Sequence, residues 1–123
     1  MLPITSALAA LSAIALFGLS LAVSLARMKA RVKLGTGEDE RLLRHIRAQG
    51  NFVEYVPLAL ILCGLAEYRA APSGWLLLAA GLLIVGRILH AAAMLLDVWP
   101  VRPPAMIATY ASLLLLAELL LFP

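Results

Sequence analysis

RLLRHIRAQGNFVEYVPL, residues Arg41 to Leu58, leads a run of charged and polar side chains directly into an apolar segment. On a helix turning about 100° per residue, Arg44, Arg47, Asn51 and Glu54 fall within a sector of roughly 80°. Glu54 lies about a turn inside a stretch that continues VPLALILCGLA. A carboxylate at that depth costs on the order of 2.5–3.5 kcal/mol on insertion scales, so something must offset it. Two readings stand open: an ion pair with another helix, or a site for a polar ligand at the membrane boundary.

The rest of the chain supplies the membrane. Its 123 residues have room for one domain, and they are 63% hydrophobic and only 14% charged. A soluble domain carries roughly 25% charged residues, and the mean hydropathy here is +0.98. The apolar runs are continuous and lack the alternation of a barrel strand, which leaves helices as the way to satisfy the backbone in lipid. The expected architecture is an all-α bundle of four transmembrane helices with left-handed packing, over residues 2–27, 38–68, 75–98 and 104–122. The single cysteine, Cys63, reads as a small buried hydrophobe. No metal site is expected.

The net charge of +3 matters less than its placement. Arg27, Lys29, Arg31, Lys33, Arg41, Arg44 and Arg47 cluster between the first two runs. The positive-inside rule therefore puts the first and third connections in the cytoplasm and both termini on the other side. Because topology already accounts for the basic cluster, nucleic acid is not an expected partner.

Residues Leu2 to Ala26 carry no charge and read as a retained first helix, since the positive charge follows the run where a cleaved signal would have it in front. Ala15, Gly18, Ala22 and Ala26 form a small-residue stripe suited to close helix packing. Thr36 or Asp39 can cap the second helix, and Pro57 should bend it. Ser73 is a plausible cap for the third helix, and Pro103-Pro104 suit the opening of the fourth. Tyr68 and Trp75 fit an interfacial aromatic belt.

Helices two and three form an antiparallel hairpin about Ala70–Ala71, so residues equally far from that turn sit at similar depth. By this count Glu54 matches Arg87, Asn51 matches His90, Arg47 matches Met94, and Arg44 matches Asp97. Glu54 and Arg87 are then expected to neutralise each other as a buried pair. Arg47 has no carboxylate at its depth. It either snorkels to the interface or meets an anionic ligand.

RAQGNFVEYVP (Arg47 to Pro57), an apolar run, and then GRILH (Gly86 to His90) together resemble the membrane-associated proteins in eicosanoid and glutathione metabolism, particularly small bacterial members. The resemblance covers nearly the whole chain, including LGTG in the basic first loop. It implies a homotrimer in the bacterial inner membrane, with glutathione sites between subunits on the cytoplasmic side. Carried across, Arg47, Asn51 and Glu54 match positions that bind glutathione or support its site, His90 matches a histidine of the third helix, and Arg27 matches an arginine ending the first; Arg44, on the same polar face of helix two, joins them as a candidate binding residue. Gly50 stands where several animal members have a second arginine, and Met94 where some have a tyrosine. The thiolate-stabilising arginine of the fourth helix has no clean match: Met106 lies near its register, and Arg102, one turn upstream, is the candidate. The implied activity is a glutathione transferase or peroxidase acting on lipophilic electrophiles or hydroperoxides, with glutathione as bound cosubstrate. A non-catalytic trimeric scaffold, whose polar faces only hold helices together, is the alternative. A four-span proton-coupled transporter would centre on an acid in the first helix, and that helix has none.

Overall fold

A computed structural model describes Met1 to Pro123 as helices joined by short connections. They are α1 (Pro3–Ala30), α2 (Glu40–Tyr68), α3 (Ser73–Leu95) and α4 (Arg102–Leu121), with one 3-10 turn at Trp99–Val101 before α4. All four main helices are long and apolar enough to cross a membrane. The chain is thus an all-helical, four-span membrane protein, as the hydropathy runs require.

The ends of the helices follow local chemistry. Asp39 accepts the Leu42 amide at 2.8 Å and caps α2, so α2 begins at Glu40 rather than at residue 38. Ser73 makes no cap; it is the first residue of α3, behind Pro72. The helices α1, α2 and α3 stop in the same way. Arg31, Ala70 and Asp97 take left-handed backbone conformations with φ of 58°, 59° and 57°. The next amide in each case bonds back five residues, from Val32 to Arg27, Ala71 to Ala66 and Val98 to Ala93. This closure satisfies carbonyls that a helix end leaves free. It also ends α3 at Leu95, three residues before the expected Val98, and carries Asp97 off the helix face on which it was placed. Pro103 and Pro104 then open α4, where the missing amides cost nothing.

Packing is uneven. The core gathers Leu8, Phe52, Val56, Cys63, Leu83 and Leu116 from all four helices. Ala59, Cys63, Ala66 and Ala79 are fully covered, and such small side chains let membrane helices approach. The α3–α4 contact is the most extensive, while α1 leans mainly on α2. Only Leu8 of α1 is buried, and nothing lies within 4 Å of a Cβ built on Gly18. Of the small-residue stripe of α1, Ala15 and Gly18 are therefore exposed, while Ala22 and Ala26 are half-buried. α2 runs unbroken through Pro57.

Candidate functional site

The polar residues of α2 separate into an outward set and an inward set. Arg47 and Glu54 are seven residues apart, two helical turns and about 20° out of line, so they stand on one stripe. Their side chains are 47% and 51% exposed and form the only ion pair of the chain, at 3.4 Å. Gly50 lies between them. A Cβ there would come within 3.4 Å of the Arg47 guanidinium, so the glycine leaves room for Arg47 to lie along the helix toward Glu54.

This overturns the expected Glu54–Arg87 pair and the idea that Arg47 lacks a carboxylate. Counting depth across the hairpin compared the helices only with each other. It missed the acid two turns further along the same exposed stripe.

Arg87 is instead satisfied, in part, by neutral groups. It donates to the Asn51 Oδ1 at 2.6 Å and to the Thr109 hydroxyl at 3.0 Å. The same nitrogen that meets Thr109 lies 3.8 Å from the Met106 sulfur. Thr109 in turn donates to the Ala105 carbonyl. The guanidinium also sits over the Tyr55 ring, 5.8 Å from its centroid. The inter-helix match is thus Asn51 with Arg87, one helical turn from the count that set Asn51 against His90. No carboxylate pairs with Arg87, and its Nε has no partner.

Gly86 makes this network possible. A Cβ on it would lie 2.6 Å from the Thr109 hydroxyl, 2.9 Å from the Ala105 carbonyl and 3.0 Å from the Thr109 amide. The α3 backbone therefore rests directly on α4 and brings Thr109 within reach of Arg87. The glycine and arginine of GRILH are one device: the first admits α4 and the second bonds to it.

The remaining candidates take varied positions. His90 is buried, 2% exposed, one helical turn beyond Arg87 on α3. Arg44 is half-buried, with its Nε unpartnered. Arg27 donates to the Gly35 carbonyl at 2.7 Å and pins the first loop, where Gly35 and Gly37 take positive φ. Arg102 is exposed and stacks over Trp99 at 5.8 Å. Met94 is buried, and Asp97 is exposed beyond the end of α3. Arg47, His90 and Arg102 lie at the end of the bundle where α2 starts, α3 ends and α4 starts, with Glu54 and Arg87 further along α2 and α3. Arg27, on the last turn of α1, reaches the first loop, and Asn51 is turned inward.

Several residues escaped the sequence reading. Thr109, Tyr55 and Tyr110 belong to the network: the two tyrosine rings meet edge-on at 5.7 Å, with their hydroxyls 3.4 Å apart. A threonine and a tyrosine one residue apart in an apolar helix were the available signal. Glu67 also escaped. Its carboxylate accepts the Ile4 and Thr5 amides at 2.9 and 2.8 Å, capping α1 from the far end of α2.

A four-span bundle with an outward Arg–Glu stripe on α2 and a GRxxH-anchored interior defines a class of integral membrane protein rather than a soluble enzyme. The MAPEG family model matches residues 5–122. This chain belongs to the MAPEG family, which includes glutathione-related members. It is also 36% identical over 109 residues to the inner membrane protein YecN of Escherichia coli K12, covering 88% of this chain and 82% of that one. The same values hold for YecN of Escherichia coli O6:H1. No solved structure matches.

Proposed function

We propose that this protein is a glutathione-binding protein of the bacterial inner membrane, working as a homotrimer that conjugates or reduces lipophilic compounds. The observation that carries the reading is the outward Arg47–Glu54 stripe. Charged side chains in a membrane helix face a bundle interior or an aqueous cavity, not lipid. An open stripe on the protomer calls for a second copy and a wet site against it. Glutathione suits that site: a carboxylate for Arg47 and an ammonium for Glu54, each replacing a long, exposed pair worth little by itself. The family membership and the resemblance of YecN support the inner membrane. The basic first loop favours a cytoplasmic site with both termini opposite, an orientation that a reporter fused after Pro123 reads directly.

Chemistry requires the thiolate. Arg102 is the candidate to hold it, as an exposed guanidinium at the start of α4 with no acid paired to it. In conjugation, the sulfur bonds to the electrophilic carbon, the leaving group departs with its electron pair, and the thiol proton goes to water.

The test is isothermal titration of the purified protein with glutathione. Arg47→Gln is expected to weaken binding by about 1.5–3 kcal/mol, roughly ten- to a hundredfold in Kd, with little change in melting temperature. Lysine should restore only part of this, since it keeps the charge and loses the fork. A second reading, the non-catalytic scaffold, draws on the Arg87–Asn51–Thr109 network, whose hydrogen bonds all serve helix packing. No binding heat at millimolar glutathione would favour that scaffold.

A further inference from the structure

We infer that the cleft between the end of α1 and the start of α2 binds the phosphate head of an anionic membrane lipid. The cleft has a volume of about 450 Å³, within the roughly 300–1,000 Å³ of small-molecule sites. Lys29 and Arg41 stand at its rim, and His45 lies below Arg41. Ala26, Leu25 and Ala22 follow along α1 away from Lys29, and on α2 the buried Leu42 stands beside Arg41. From Ala22 to Lys29 is seven residues, about 10 Å along the helix axis. The cleft thus grades from charged to apolar over the depth at which a lipid passes from head to acyl chain.

Charge favours the same occupant. Neither Lys29 nor Arg41 pairs with an acid, because the single ion pair of the chain is elsewhere. The one acid at the rim, Asp39, spends an oxygen on the Leu42 amide that it caps. The His45 Nδ1 donates to the Arg41 carbonyl at 2.8 Å, which leaves the other ring nitrogen for the cleft. A small soluble anion would meet the rim and leave the apolar floor wet. A phosphodiester carrying acyl chains fills both, and basic pockets between helices at a membrane face select such heads. The cleft shares no residue with the Arg47–Glu54 stripe, so this inference stands apart from glutathione binding.

The experiment measures lipid retention on the detergent-purified protein by native mass spectrometry, titrating dioleoylphosphatidylglycerol against dioleoylphosphatidylcholine. The anionic lipid is expected to bind in preference. The double variant Lys29→Gln/Arg41→Gln should lose about thirtyfold in affinity, from about a factor of five for each basic group near an anionic head. The control Arg31→Gln/Lys33→Gln removes the same charge outside the cleft and should lose far less. Ala26→Phe, which fills the cleft and keeps every charge, should also lower retention, so a folding defect in the first variant does not remove the test. Equal losses in cleft and control variants, no preference for the anionic lipid, unchanged retention in Ala26→Phe, or equal competition by inorganic phosphate would each overturn the inference.

Discussion

Two polar regions of similar composition behave oppositely. On the α3–α4 side, Arg87, Asn51 and Thr109 are 9%, 3% and 0% exposed, with a 2.6 Å bond at the centre. On the outer face of α2, Arg47 and Glu54 are each about half exposed, and their contact is 3.4 Å long. The inner region has a full cation and no acid; the outer one has both charges and little burial. A cation taken from water is tolerated when neutral acceptors and an aromatic face replace its hydration. Two charges left on an exposed face hold one another loosely, which keeps both open to a better partner. The first region fixes one arrangement of helices; the second leaves two charges weakly held.

The largest effect should come from the helix contact that supports the inner region. Gly86→Ala is expected to cost about 3 kcal/mol, near the top of the overpacking range, because two of the three crowded atoms are backbone. Thermal unfolding in detergent measures it. A melting temperature within error of wild type would show that α3 and α4 are not held at the distance described.

That contact also marks where the sequence ceases to be legible. Four spans, the Asp39 cap and the burial of Cys63 follow from hydropathy and local chemistry, and they hold. Arg87 was visible as a buried cation, yet its partner depended on Thr109. The position of Thr109 depends on how closely α4 settles against Gly86, a distance set between helices. The Arg47–Glu54 pair was written in a seven-residue spacing, but the hairpin count looked only across helices. Asp97 was lost to the helix face because a left-handed residue ended α3 early, a conformation aspartate adopts more readily than most. The Glu67 cap joins residues more than sixty apart, and no local pattern encodes it.

A smaller loss is expected from Arg87→Met, about 1–3 kcal/mol, because Asn51 is left as a buried acceptor without a donor. Adding Asn51→Leu should recover part of it, whereas adding Glu54→Gln should give a strictly additive loss. Double-mutant melts decide between the two. Coupling of Arg87 to Glu54 would restore the pair that the structure replaces with Arg47.

The smallest effect should be that of Glu54→Gln alone, within about 1 kcal/mol, as for an exposed ion pair. A loss as large as that of Arg87→Met in the same thermal melts would mean that the outer stripe carries the fold and the two regions are alike.

The Glu67 clasp on α1 has a bearing on how the chain is made. The N-terminal turn of α1 emerges first, and its amides wait for an acceptor that lies at the far end of the second span. That acceptor arrives only after the ribosome has delivered residue 67 and α2 has crossed to the same face. Until then α1, with a single buried residue, is held in place by lipid alone. The clasp therefore acts as a latch on the first hairpin: its two halves lie on different spans, and neither span can close it alone.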